Sequence, residues 1–450
     1  MLPEIHQPQR TLPRVIGGVG STALVVGTVI GSGIFLVPHN VALQVGTERG
    51  LLLVWIAGGA LALAGALSLA ELGAALPEAG GVYSYLREAY GKLPAFLYGW
   101  GMLLVIESGS VATLAVAFGI YAASFLPLTR LDQKLVGCAV IAVLTAVNII
   151  GAREGSAVQI VFTAAKLVGL AIIIGLAAFF HGPAGQASVS TLPVSHTTAS
   201  SFGIALVGVL WAYEGWHLLS FSAGEVKNPG RILPRSYFFG MVIVVVTYLG
   251  ANAAYLKVLT LPALVQHQRV AARAMEILAG PRGMAFVSGL ILCSIFGALN
   301  GNMLTGPRAY FAMARDGVFF SAVGRIHPRY QTPMIAILIQ GIWSMLLAAS
   351  GSYQQLYTYV IFSGWIFYAA AVLSVLVLRR RRPSLHRPYH VWGYPVLPVV
   401  FSLGALAVVL NTVVREPREC LTGLSLILLG IPIYLIWTYS RTKGIGPLKG

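Results

Sequence analysis

Three ionisable side chains lie deep within apolar stretches of this 450-residue sequence: Glu107, Lys166 and Glu214. A charge in hydrocarbon is costly, so such residues are candidates for function by default. Lys166 could occupy the place of a bound cation, or its long side chain could extend to the membrane interface. Glu107 and Glu214 could each carry a coupled proton, or bond a neighbouring polar group. His217 could also take part in coupling, although a hydrogen-bonded packing histidine is the simpler interpretation.

The stretch VIGSGIFLVP places Gly31, Ser32 and Gly33 inside an apolar run. Unpaired backbone groups within a membrane are tolerated only where protein or a water-filled cavity receives them, so a break here implies a cavity. Glycine lets the backbone approach a ligand closely, and the serine hydroxyl can add a hydrogen bond. The alternative interpretation is close helix packing through small residues.

The two half-helices on either side of this break would offer opposite chemistry. One that ends near Val29 or Ile30 presents free carbonyl groups, which favour an ammonium group. One that begins near Ile34 presents free N–H groups, which favour a carboxylate. These are the two charged groups of an amino acid. The site residues predicted from this break are Val29, Ile30, Gly31, Ser32, Gly33 and Ile34.

A second apolar run is interrupted by the polar segment AYEGW, residues 212–216. Trp211 precedes this break, where an indole could cover the apolar part of a small substrate and close a path outward, or could pack in the core. The same two interpretations, gate or packing, apply to Trp365. The site residues predicted from the second break are Trp211, Ala212, Glu214 and Gly215.

The composition predicts that these residues lie within membrane-spanning helices. The chain is 57% hydrophobic and 10% charged, with a mean hydropathy of +0.80, which predicts a polytopic all-α membrane protein. It has no long polar segment, so residues 1–450 are expected to form a single transmembrane domain. The apolar runs predict twelve helices, at about 15–37, 49–71, 93–126, 135–151, 157–180, 201–222, 236–259, 284–304, 333–350, 355–378, 394–414 and 420–439.

Several classes of function do not fit the sequence. The net charge of +16 lies on short loops between apolar runs, which indicates membrane topology and not nucleic-acid binding. The three cysteines lack metal-ligand spacing, and no His/Cys/Asp cluster suggests a metal, a cofactor or an enzyme active site. There are no rings of charge or repeated filter segments of the kind found in channels.

The interrupted helices are the first and the sixth. Two breaks five spans apart predict an inverted repeat, with helices 1–5 at about 15–180, helices 6–10 at about 201–378, and helices 11–12 at about 394–439 outside it. With both termini in the cytoplasm, twenty basic residues fall on the inside and nine on the outside, which supports that orientation.

Five stretches together resemble the amino acid, polyamine and organocation transporter superfamily, and within it the L-amino acid transporter family. The resemblance covers nearly the whole chain, and loops and tails suit a prokaryotic member. The stretches are VIGSGIFLVP, AELGAALPEAGGVYSYLREAYG (70–91), LWAYEGWHLLSFSAGEVKNPGRILP (210–234), ALNGNMLTGPRAYFAMARDG (298–317) and residues 362–395.

The resemblance implies a LeuT-like fold of five plus five inverted helices with discontinuous helices 1 and 6. By position, Gly31, Ser32 and Gly33 would hold the substrate carboxylate, and the carbonyl groups of Val29, Trp211 and Glu214 would receive the ammonium group. Trp211 falls on the position of the family's aromatic gate. Lys166 matches a lysine that stands in for sodium in relatives, with Ser294 as its partner on helix eight.

The function implied is sodium-independent exchange of small neutral L-amino acids by alternating access at the plasma membrane. The alternatives are proton-coupled symport, through Glu107, Glu214 or His217, and transport of cationic amino acids. Some relatives join a heavy-chain glycoprotein through a cysteine in the loop after helix three. The corresponding loop here, PLTRLDQK, has no cysteine, so no disulfide-linked heavy chain is expected.

Overall fold

The computed structural model describes residues 14–78, 80–150, 155–182 and 198–442. The α-helices of the first half are α1 Gly18–Val29, α2 Gly33–Val45, α3 Glu48–Ala75, α4 Val82–Tyr90, α5 Lys92–Gly101, α6 Glu107–Ala122, α7 Arg130–Ile150 and α8 Gly155–Ala178. Those of the second half are α9 Ala199–Ala212, α10 Pro229–Val258, α11 Leu261–Gln266, α12 Val270–Arg315, α13 Met334–Ser350, α14 Tyr353–Arg381, α15 Val396–Arg415, α16 Pro417–Leu428 and α17 Gly430–Thr442. The remaining helical segments are a π-helix at Met102–Ile106 and 3-10 helices at Trp216–Glu225 and Ser321–Gly324.

Ten helical segments of the described chain are long and apolar enough to cross a membrane. The pair α1 and α2 forms a further candidate span, bent by 42° at its break, and α13 is apolar but shorter. An all-helical, multi-pass membrane protein is therefore confirmed. The total of twelve spans stays a prediction.

Two helices end well beyond the boundaries predicted by hydropathy. The first apolar run was expected to end near residue 37, but α2 continues to Val45, because the polar residues His39, Asn40 and Gln44 interrupt the apolar pattern without ending the helix. The eighth run was expected to end near residue 304, but α12 continues to Arg315. Hydropathy reports burial in lipid, and it misses helical turns that carry polar groups.

The expected loop at 260–283 is also largely helical. It contains α11 and the first turns of α12, which precede non-helical backbone at Ala279 and Gly280. The Thr260 side chain accepts a hydrogen bond from Ala263 N at 3.4 Å, which caps α11. Short helices of this kind lack the length that a hydropathy window needs.

Helix starts elsewhere follow local sequence. Thr47 caps α3 by accepting from Gly50 N at 3.1 Å, and Ser352 caps α14 in the same way. The helices then pack so that the broken segments are central: α1 contacts α8 and α10, α2 contacts α9, and α6 contacts α12 and α14. This arrangement buries both breaks.

The cytoplasmic orientation of the termini stays a prediction. Four basic residues used in that prediction, Arg10, Arg153, Lys443 and Lys449, lie outside the described residues.

Candidate functional site

The two helix breaks lie directly against each other. A side chain at Gly33 would overlap the backbone of Ala212, and one at Gly215 would overlap the Thr28 carbonyl group. Gly215 also has a φ of +109°, a conformation that favours glycine. These glycines therefore allow the first broken helix to contact the second at backbone distance.

The hydroxyl group of Tyr248, on α10, connects the C-terminal ends of α1 and α9, the helices that precede the two breaks. It lies 3.1 Å from Val29 O and 2.9 Å from Ala212 O. These carbonyl groups are in the last turns of α1 and α9, where the helix itself supplies no N–H partner. Sequence reasoning did not identify Tyr248, because a long-range hydrogen bond leaves no local pattern.

A small cavity of about 20 Å³, room for about one water molecule, lies between the breaks. The first break contributes Thr28, Val29, Gly31, Ser32 and Gly33, the second contributes Trp211, Glu214, Gly215, His217 and Leu218, and neighbouring helices contribute Glu107, Ser110, Leu114 and Asn302. The predicted site residues Ile30, Ile34 and Ala212 are buried but are not among the described residues that line it.

The first break presents opposite backbone groups to this cavity. The α1 segment ends at Val29 and the α2 segment begins at Gly33. The last carbonyl groups of a helix and its first N–H groups lack intrahelical partners, and they lie at the negative and positive ends of the helix dipole. The cavity therefore has acceptors on the α1 side and donors on the α2 side.

The second break contributes a buried carboxyl group. Tyr368, on α14, donates a hydrogen bond to Glu214 Oε1 at 2.6 Å, and His217 Nδ1 is 3.5 Å from the same oxygen. The Tyr368 hydroxyl group also lies 3.3 Å from His217 Nε2. Glu214 Oε2 has no hydrogen-bond partner among the described residues. The three side chains form one cluster at the cavity wall.

Glu107, at the start of α6, also lines the cavity. It follows the π-helical segment Met102–Ile106, a kind of irregularity that often marks functional sites. The side chain is 1% exposed, and its Oε1 has no hydrogen-bond partner within the described part of the chain. Glu107 thus brings a second carboxyl group to the cavity.

Glu71, on α3, shows how a structural carboxylate differs from these two. Arg379 donates to it at 2.8 and 2.7 Å, and Val391 N donates at 2.7 Å. Both carboxylate oxygens are satisfied, as expected of a buried ion pair that holds helices together. Glu107 and Glu214 each keep an oxygen unpaired, which makes them candidates for contact with a ligand or a proton.

Lys166, on α8, is buried at 2% exposure, and its Nζ donates to Gly27 O at 2.7 Å. Gly27 is in the last turn of α1, so the ammonium group lies at the negative end of that half-helix. The predicted partner Ser294 is also buried, but its Oγ has no hydrogen-bond partner in the described ranges. Lys166 therefore contacts the first helix, and its pairing with Ser294 stays a prediction.

The two tryptophans predicted as gates lie in different surroundings. Trp211 lines the cavity, stacks on Tyr357 with ring centroids 6.3 Å apart, and donates from Nε1 to Tyr353 OH at 2.9 Å. Trp365 stacks on Phe401 at 5.4 Å and is absent from the described cavity lining. The geometry therefore associates Trp211, but not Trp365, with the candidate site.

Within the described residues, no group of three or more His, Cys, Asp or Glu side chains could hold a metal ion. The features above define a multi-pass membrane protein with a polar cavity between two interrupted helices, an architecture typical of secondary transporters.

The chain belongs to the amino acid permease family, whose sequence profile matches residues 16–437. It is 34% identical over 435 residues to the serine/threonine exchanger SteT of Bacillus subtilis, covering 96% of this chain and 98% of that protein. It is 34% identical over 444 residues to the human b(0,+)-type amino acid transporter 1, covering 97% and 90%. It is 31% identical over 442 residues to the mouse Asc-type amino acid transporter 1, covering 96% and 82%. The predicted family is thus confirmed, and its members are amino acid transporters.

Proposed function

We propose that this protein is a sodium-independent exchanger of small neutral L-amino acids that works by alternating access. The observation that carries the proposal is the cavity between the two breaks, which offers backbone donors on one side and carbonyl acceptors on the other. A zwitterion matches that pair of partners. The similarity to a protein named as a serine/threonine exchanger supports exchange.

The substrate would lie with its carboxylate at Gly31, Ser32 and Gly33. Its ammonium group would contact the carbonyl groups of the two half-helix ends. In this structure Val29 O already accepts from Tyr248, and a carbonyl oxygen has a second lone pair for an ammonium donor. Trp211 O accepts from Glu214 N at 3.0 Å and has the same spare capacity. Glu214 O is the third predicted acceptor.

Sodium independence is proposed from Lys166. Its ammonium group, 2.7 Å from Gly27 O, supplies a fixed positive charge at the end of α1. A bound cation would stabilise the same carbonyl groups, so the lysine removes the need for one.

The proposed architecture has twelve spans in one domain, with α13 as the ninth. The first repeat would comprise α1 to α8, and the second would comprise α9 to α14. The matching breaks at the start of each repeat support this division. We place both termini in the cytoplasm and the protein in the plasma membrane.

The experiment that tests exchange uses purified protein in liposomes loaded with labelled alanine. Efflux is expected to rise several-fold when unlabelled alanine is added outside, and to be the same in sodium and choline buffers. Liposomes without protein control for leakage. Exchange would be contradicted if the efflux rate did not change with external amino acid but did change with an imposed pH gradient.

A second candidate function is carried by the unpaired oxygens of Glu107 and Glu214. Two carboxyl groups facing one cavity could bind a coupled proton or the side chain of a cationic amino acid. Lysine as a competitor separates these possibilities from neutral exchange. Competition by lysine that equals that of alanine, and that is lost in Glu214→Gln, would favour a cationic substrate.

We also propose that the protein acts without a disulfide-linked subunit. The loop between α6 and α7 has no cysteine, and the nearest one, Cys138, is half-buried on α7 with its Sγ 3.6 Å from Met345 O. Migration of the membrane-extracted protein as one band, with and without reductant, is the expected result.

A further inference from the structure

Tyr353, at the start of α14, joins both helix breaks through a single hydroxyl group. It accepts a hydrogen bond from Trp211 Nε1 at 2.9 Å, and it lies 3.1 Å from Ser32 Oγ. The three side chains are at most 6% exposed. Trp211, the predicted gate, belongs to the second break, and Ser32 belongs to the first. One hydroxyl group therefore connects the two breaks where they line the cavity.

The direction of these hydrogen bonds follows from the chemistry of the groups. The indole N–H can only donate, so it occupies a lone pair of the Tyr353 oxygen. The Tyr353 proton then needs an acceptor, and Ser32 Oγ is its only other hydrogen-bond neighbour in the described chain. A buried hydroxyl proton without an acceptor is unfavourable. Trp211 therefore donates to Tyr353, and Tyr353 donates to Ser32.

This order leaves the proton of Ser32 free. Ser32 Oγ has no further hydrogen-bond partner among the residues with assigned positions, and Ser32 lines the cavity. Donors in a chain polarise one another, which makes the last proton a stronger donor. A carboxylate in the cavity is the partner that gains most from it, because hydrogen bonds to charged acceptors are the strong ones.

We propose that Tyr353 is a positioning residue that makes Ser32 a donor to the substrate carboxylate and couples that contact to the closed position of Trp211. This inference rests on the proposed function, because it assumes an amino acid in the cavity. It adds a residue outside both breaks to the binding apparatus. Carboxylate binding then favours the closed position of Trp211. That position favours carboxylate binding to the same extent, because coupling between two sites is reciprocal.

The test compares Tyr353→Phe with Tyr359→Phe on the same helix. Tyr353→Phe keeps the ring but removes both hydrogen bonds. Tyr359→Phe removes a hydroxyl group that accepts from Gln355 at 2.9 Å, away from the cavity. Binding of labelled alanine to the purified protein is measured by scintillation proximity. The Kd is expected to rise about tenfold in Tyr353→Phe and to stay within about twofold in Tyr359→Phe.

Two further measurements separate positioning from a general loss of structure. Alaninamide lacks the carboxylate, so its ability to compete should change little in Tyr353→Phe, whereas a loosened cavity would weaken both ligands alike. Ser32→Ala in the Tyr353→Phe background should add less than about twofold to the Kd, because both changes act through the same Ser32 hydroxyl group.

The outcomes distinguish the inference from the proposed function. A wild-type protein that neither binds nor exchanges alanine contradicts both. A wild-type protein that exchanges alanine, together with an unchanged Kd in Tyr353→Phe, contradicts the inference alone. Equal losses for alanine and alaninamide, or independent effects of the two substitutions, also contradict it.

Discussion

The ends of α1 and α9 each precede a helix break, but different chemistry completes them. At the end of α1, Gly27 O receives the ammonium group of Lys166, which comes from α8. Both helices close with the same backbone bond, from Ile30 N to Val26 O and from Tyr213 N to Val209 O, but only after α9 does a further bond, from Glu214 N to Trp211 O, form a turn. The first break is thus stabilised by a distant charge, and the second by its own turn.

The residue types in the two breaks follow from this difference. A break without a local turn can consist of Gly31, Ser32 and Gly33, which leave the backbone open to a ligand. The second break uses its turn to present side chains, namely Trp211 and Glu214, to the same cavity. Under the proposed function, one break would supply backbone recognition common to all amino acids. The other would supply side chains that select among them.

The largest expected effect is that of Gly33→Val in the first break. A side chain there would overlap the backbone of Ala212, so the two breaks must separate and the cavity must change shape. Alanine binding by scintillation proximity is expected to fall by about a hundredfold or more. Gly175→Val is the control, because a side chain at Gly175 meets no atom within 4 Å. Retained alanine affinity in a folded Gly33→Val protein would reject the site.

Gly215→Ala tests the second break and should weaken binding by roughly ten- to a hundredfold. Two effects add: a φ of +109° and overlap with the Thr28 carbonyl group. Gly91→Ala separates them, because Gly91 has a φ of +95° in a loop with no atom near its missing Cβ. If both variants lose binding equally, backbone strain and not contact between the breaks explains the result.

The sequence predicted these breaks because glycine, serine and glutamate are conspicuous within apolar runs. It could not predict which side chains form hydrogen bonds with the groups at the two breaks. Tyr248, Tyr353 and Tyr368 all supply hydroxyl groups to the site, yet each lies in an apolar helix where a tyrosine is unremarkable. Only the packing of α10 and α14 against the breaks gives these residues their roles.

The positions of most membrane-spanning helices could also be predicted from the sequence. Apolar runs place most spans well, since hydropathy measures burial in lipid directly. The extension of α2 to Val45, the helices within 260–283 and the extension of α12 to Arg315 were missed. In each case the helix carries polar or basic residues that lower the local hydropathy.

Lys166→Ala tests whether the positive charge at the end of α1 contributes to the conformational change of transport. Removing the ammonium group leaves Gly27 O without its donor, at a cost of about 1.5–3 kcal/mol for a charged hydrogen bond. We expect the exchange rate to fall about tenfold with less change in KM. Lys257→Ala is the matched control, because Lys257 bonds Ala178 O at 2.6 Å from an exposed position. Equal kinetics for Lys166→Ala and wild type would remove the proposed distinction between the two breaks.

The smallest effect is expected from Tyr248→Phe, which changes both breaks at once. Its hydroxyl group shares one proton between Val29 O and Ala212 O, so its loss should destabilise the protein by about 1 kcal/mol and alter transport only a few-fold. Tyr255→Phe, on the same helix, removes a buried hydroxyl group that has no partner in the described structure, and should be neutral or stabilising. Thermal unfolding in detergent measures both. Equal melting temperatures for the two variants would mean that the charge at the end of α1 and the turn after α9 hold the half-helix ends without help from the Tyr248 hydroxyl group.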